Sequence, residues 1–234
     1  MLLATGACRV RVTGGIDVGA GGSGTVRAGV GLDDEAVKGA GDLAAALRVD
    51  DLRQAGWTVT GPRKEGDGLT WVRASKPFSG VEQAVADLAE LSGPDGPFKG
   101  LTLRRTSSLL HRTTSLSGTV DLSGGLSGFA DADLRSKVGD ALPLDADALR
   151  RQFGPDADKV LSVQFEALLP GSATSNATTR DGGRLVWRPT LGSRLAVSAR
   201  SSDLAPWPLV VIGLVLVLAV GGGACWWAAS RRRP

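Results

Sequence analysis

The sequence predicts an α+β domain, an antiparallel sheet with packed helices, followed by one C-terminal transmembrane helix. Three observations carry that prediction. Short segments with period-two alternation recur through residues 9–200, helix-spaced segments lie between them, and a charge-free apolar run closes the chain. At 234 residues and 42% hydrophobic side chains, the chain is long enough to bury a real core.

Val10, Val12, Ile16 and Val18 share one parity, with Arg9, Arg11 and Thr13 on the other. Val26, Ala28 and Val30 resume the alternation after Gly19-Ala20-Gly21-Gly22-Ser23-Gly24, which predicts a β-hairpin with a glycine-rich loop. The loop also spells G-x-G-x-x-G. A dinucleotide site would need a helix straight after it and an acid about 20 residues on. An alternating segment follows instead, so the nucleotide reading fails.

Asp33, Asp34 and Glu35 suit the positive end of a helix, which would run to about Arg48 with Gly39 and Gly41 weakening it. A short helix from Asp50 stops at Gly56. Two strands, 57–60 and 69–74, flank a polar turn. The clearest helix is Ser79 to Leu91: Ser79 and Glu82 form a capping box, Val81, Val85, Leu88 and Leu91 recur at helical spacing, and Gly93-Pro94 ends it. A second strand pair covers about 99–108 and 113–122. Residues 131–153 read as a helical insert built on Leu134, Val138, Leu149 and Phe153. Clean alternation returns at Leu161, Val163, Phe165 and Ala167, then at Leu185 and Trp187, and finally at Leu195 and Val197.

From Pro208 to Trp227 there is no charged side chain, and twenty helical residues rise about 30 Å, the thickness of a bilayer core. The expected spanning segment is 207–228, joined to the domain (9–200) by a linker at 201–206. Trp207 at one end and Trp226 and Trp227 at the other suit the headgroup region. Arg231, Arg232 and Arg233 lie in a basic tail, 229–234, that the positive-inside rule places in the cytoplasm, leaving the domain extracytoplasmic.

Residues 1–8 end in Ala7-Cys8, like the close of a lipoprotein signal, and Cys8 is the candidate for lipidation. A basic n-region and a full apolar stretch do not fit in seven residues, so the true start is expected upstream. Cys225, the other cysteine, lies in the apolar run, and no disulfide with Cys8 is expected.

Without the three terminal arginines, 24 basic residues face 24 acidic ones. A nucleic-acid surface needs a concentrated basic stripe, and nucleic acid is not an expected partner. His111, the single histidine, falls in a predicted turn with no nucleophile motif around it. Clustered zinc ligands are missing, and Asp33-Asp34-Glu35 lacks the alternating oxygens of a calcium loop. No catalytic residue, metal or cofactor is therefore expected. An enzyme would have to use carboxylates alone, two of them facing one cleft.

The order of parts resembles the LppM-like envelope lipoproteins of actinobacteria. The matching pieces are Cys8-Arg9-Val10-Arg11-Val12, the capped helix after Phe78-Ser79, and the strands around Leu101-Thr102-Leu103-Arg104-Arg105 and Leu116 to Leu122. Pro170-Gly171 before Trp187 and Gly192, and the closing membrane helix, complete it. The resemblance implies a non-catalytic, membrane-anchored envelope protein, single-pass, whose domain binds a lipid or glycolipid in an apolar groove beside the sheet. In that bacterial setting Asn176-Ala177-Thr178, which matches a glycosylation acceptor, is not expected to carry a glycan. The alternative is a structural protein that docks on another envelope or membrane component through a contiguous exposed apolar patch.

Overall fold

The computed structural model describes residues 9–40, 43, 49–92, 96–108, 110–124, 146–154 and 157–204. Its strands are β1 (Val10–Val18), β2 (Gly24–Leu32), β3 (Thr58–Lys64), β4 (Thr70–Phe78), β5 (Phe98–Ser107), β6 (His111–Asp121), β7 (Leu161–Leu168), β8 (Ser172–Ser175), β9 (Thr179–Asp181), β10 (Arg184–Trp187) and β11 (Arg194–Leu204). The helices are α1 (Asp34–Ala40), α2 (Val49–Gln54), α3 (Val81–Ser92), α4 (Ala146–Phe153) and α5 (Ala157–Val160).

The strands form two sheets. The first has seven strands in the order β3-β4-β2-β1-β7-β10-β9, and the second has four, β5-β6-β11-β8. Their inner faces meet in one core. Phe98 of the second sheet packs on Phe165 of the first with ring centroids 5.5 Å apart, and Phe165 on Trp187 at 6.0 Å. Ile16, Val26, Val163 and Leu185 join from the first sheet, and Leu116, Val120 and Val197 from the second. The α3 helix contributes Ala84 and Leu88, both fully buried, against β2, β4 and β5. A smaller cluster under α1 and α2 gathers Leu32, Leu43, Val49 and Val72.

This overturns the predicted architecture. Two sheets dominate in place of one antiparallel sheet with packed helices, and apart from the 12-residue α3 the helices are short. The first sheet is also mixed, because β1 pairs in parallel with β7 from Val10↔Leu161 to Asp17↔Leu168. Alternation reports that a strand is half-buried; it carries no information on which strand lies beside it. Glycines dilute the helical signal around residue 40, and the described part of the first predicted helix is the seven residues of α1.

The spanning helix expected at 207–228 lies outside the described residues, and no helix among the described ones is long and apolar enough to cross a membrane. Residues 201–204 of the expected linker are the last turn-free stretch of β11. Of the expected insert, 131–145 lies outside the described residues, while α4 covers its end. Helix caps follow the sequence with one change. Asp33 Oδ1 accepts the Ala36 N–H at 2.9 Å, but Ser79 is met by Gln83 Oε1, not Glu82, at 3.0 Å to its N–H.

Candidate functional site

Helices and the second sheet cover the inner face of the first sheet. Its outer face carries the odd residues of β1, β2 and β4 and the even residues of β7, brought side by side by the strand registers. Three rows cross it. Glu166, Gly15, Arg27 and Ser75 form one; Gln164, Thr13, Gly29 and Arg73 the next; Ser162, Arg11, Gly31 and Trp71 the third. Between them runs a groove of about 520 Å³.

Its floor is bare because glycine is required there. A Cβ on Gly15 would lie 2.8 Å from the Glu166 carbonyl oxygen, and one on Gly31 within 2.7–2.9 Å of three indole carbons of Trp71. Trp71 thus lies flat on strand β2, only 3% exposed although it belongs to the outer face. The Arg73 guanidinium covers it, 4.0 Å from the ring centre, and is held in turn by Glu65 through two bonds of 2.8 and 2.7 Å. On the other edge of the ring the indole N–H reaches Asp67 at 3.2 Å, and Arg11 pairs with Asp67 at 3.3 Å.

The opposite wall is a chain of hydrogen bonds and ion pairs. Arg188 donates to Gln164 Oε1 at 3.1 Å, Gln164 donates to Glu166 at 2.9 Å, and Arg184 lies 3.7 Å from Glu166. Arg184 also grips Asp17 at 2.8 Å, and Arg27 takes the same oxygen at 2.7 Å. Burial pushes the Glu166 carboxyl above its ordinary range, and the charge of Asp17 adds to it. Burial likewise raises Asp17, although Arg184 pulls the other way. Burial opposes ionisation of Asp67, yet the Leu69 amide, the Trp71 indole and Arg11 hold its carboxyl below the usual range.

Chemically, the groove offers forked cationic donors on one side and carboxylate and amide acceptors on the other, over a floor where a ligand can approach the backbone. Its lining sets charged and polar side chains beside Ala28, Trp71 and Ala74. The large apolar side chains exposed among the described residues are Leu110 and Leu204, at one end of the second sheet. No group of three or more metal-ligating side chains occurs among the described residues. His111 opens β6 and is exposed.

Cys8, Trp207, Trp226, Trp227, Arg231, Arg232 and Arg233 all lie outside the described residues. The groove residues lie on segments that read from sequence as ordinary strand faces. Gly15, Gly29 and Gly31 sit inside alternating strands, and glycine there marks close approach of another group. Asn176 is structural: its side chain bonds Trp187, Ser198 and Ala196.

Fold and groove together define a two-sheet, β-rich domain with an open charged sheet face. No family model matches the chain, and no curated protein matches it. Among solved structures, it is similar to the folded domain of Mycobacterium tuberculosis LppM, determined by NMR, which gives the resemblance seen in the sequence a counterpart in structure. That likeness covers 84% of this chain and 91% of the other, at 14% identity and a TM-score of 0.44. At those values it says nothing of what this chain binds.

Proposed function

We propose that this chain is a non-catalytic, envelope-facing binding module that holds the hydroxylated, anionic headgroup of a lipid or glycolipid in the groove on the first sheet. The observation that carries the reading is the glycine-floored groove between Arg11, Arg27 and Arg73 on one side and Gln164 and Glu166 on the other. Guanidinium forks match phosphate or carboxylate oxygens, and the acceptors on the far wall suit sugar or glycerol hydroxyls. Catalysis by the carboxylates is disfavoured because two guanidiniums hold Asp17.

The test is titration of the full chain, reconstituted in neutral phosphatidylcholine vesicles, with a soluble glycerophosphoryl or phosphorylated-glycan headgroup and with its uncharged analogue. Binding should need the anionic group. Arg11→Gln with Arg27→Gln should weaken it at least about tenfold while the fold is kept, since each charge-assisted bond contributes about 1.5–3 kcal/mol. Equal binding of the uncharged analogue, or no effect of the double variant, would refute the reading.

A further inference from the structure

The glycine-rich loop between β1 and β2 takes no part in the groove, yet two arginines converge on it. Arg105 of β5 donates to the carbonyls of Gly19, at 3.2 Å, and Ala20, and Arg112 of β6 donates to the same Ala20 oxygen at 2.6 Å. Among the described residues neither guanidinium forms an ion pair within 4.0 Å, although Asp203 lies opposite Arg112 in the β6–β11 register. Two like charges therefore share one neutral oxygen, an arrangement that a true anion would relieve.

A second, independent observation lies directly behind them. In the strand register Arg105 is opposite Thr114, Thr114 opposite Ser201, and Arg112 opposite Asp203, so all five belong to one inner-face patch of β5, β6 and β11. Thr114 is 0% and Ser201 1% exposed, and neither hydroxyl has a hydrogen-bond partner. Asp203 Oδ1 is also buried and unpartnered. Orphaned buried polar groups are destabilising and call for an explanation. Here three fall together, beside two unneutralised cations and under a loop whose Gly22 has φ +91°. A Cβ on Gly22 would stand 3.0 Å from the Arg105 Nη1, and the left-handed backbone there is what favours glycine.

We propose that this mouth between the two sheets is a binding site for a proton-bearing oxyanion of the phosphate class. The guanidiniums of Arg105 and Arg112 take its oxygens, in the place where the Ala20 carbonyl now stands. Thr114 and Ser201 donate to it, and Asp203 accepts the hydrogen of its hydroxyl. The last contact sets the selectivity. Hydrogen phosphate can donate to a carboxylate, whereas sulfate at neutral pH has no hydrogen and would leave Asp203 facing an anion oxygen.

The test is calorimetric titration of the full chain at pH 6.5 with inorganic phosphate and with sulfate, and co-sedimentation with vesicles of phosphatidylcholine containing phosphatidic acid. Saturable phosphate binding at least about tenfold tighter than sulfate is expected, a gap equivalent to about 1.4 kcal/mol. Asp203→Asn, which keeps shape and can donate to sulfate, should abolish that preference. Arg112→Gln should weaken phosphate binding, with circular dichroism confirming that both variants are folded. If free phosphate is inert and only phosphatidic acid vesicles bind, in an Asp203-dependent way, the same site takes a lipid phosphomonoester. No saturable binding in either arm, or binding that both substitutions leave unchanged, overturns the proposal. A misfolded Arg112→Gln leaves the phosphate-to-sulfate ratio of the unaltered chain as the deciding measurement. These substitutions do not touch the groove, so failure here is separable from failure of the headgroup reading.

Discussion

The indole N–H of Trp187 donates to the Asn176 side-chain oxygen at 2.8 Å, and that same oxygen takes the backbone N–H of Ser198 at 2.9 Å. One amide thus joins the fully buried aromatic of the first sheet to a strand of the second. Replacing Asn176 with Ala strands the indole N–H in the core. The expected cost is about 1–3 kcal/mol for that donor alone, read as a lower midpoint in urea denaturation. Trp187→Phe in the same background should recover part of it, and a fully additive double variant would contradict the coupling.

Glu166 predicts a pH dependence with a definite sign. Its carboxyl is raised above the ordinary 4.5 in the folded chain, chiefly by burial. The folded state therefore holds that proton more tightly than the unfolded one, so this group favours folding in acid and the benefit is lost as pH rises through its folded value. Glu166→Gln should accordingly be more stable than the unaltered chain at pH 7, with a gap that narrows as pH falls towards 4.5. Denaturation series at pH 7, 6 and 5 measure it; a gap that widens in acid would show the reverse linkage.

Gly31 tests the seat of Trp71 beside the groove. Gly31→Ala would push a methyl group into the indole of Trp71, at 2.7–2.9 Å from three of its carbons. Overpacking of this kind costs about 1–3 kcal/mol and should also dislodge Arg73 from the ring. Gly39→Ala is the control: it sits in α1 with no heavy atom within 4 Å of the added carbon. It should raise stability by up to about 1 kcal/mol through helix propensity.

Much of this fold was legible in the alternation. The β1–β2 hairpin, the strands around Leu103, Leu116 and Val163, and the α3 helix stand where period and capping put them. The groove was not legible, because it depends on neighbours. Arg11, Thr13 and Gly15 read in isolation as an ordinary solvated strand face. They become a site only once β2 places Arg27 and Gly29 beside them, β4 adds Trp71 and Arg73, and a strand about 150 residues further on supplies Gln164 and Glu166. The buried Thr114–Ser201 pair escaped for a related reason: a polar residue on an inner parity carries no sign of whether its partner is protein or ligand.

Lys76 offers a prediction about the core edge. Its ammonium lies 3.1 Å from Asp87 and 2.6 Å from Glu90, with the Asp87 side chain only 6% exposed. Lys76→Met leaves a buried carboxylate without its cation and should cost about 3 kcal/mol at neutral pH. Adding Asp87→Leu removes the orphaned charge and should restore most of the loss in thermal melts. A single substitution that melts like the unaltered chain would mean the pair is solvated.

The parallel pairing of β1 with β7 also fixes an order of events during biosynthesis. Of the described strands, β1 is synthesised first and lies in the middle of its sheet, yet one of its two edges stays unpaired until residue 168 has emerged. At about 5–20 residues per second that wait lasts on the order of ten seconds or more. Over that interval the nascent hairpin presents an open, valine-bearing strand edge to its surroundings. The folded domain conceals this hazard, and a chaperone or rapid export would have its greatest effect in that window.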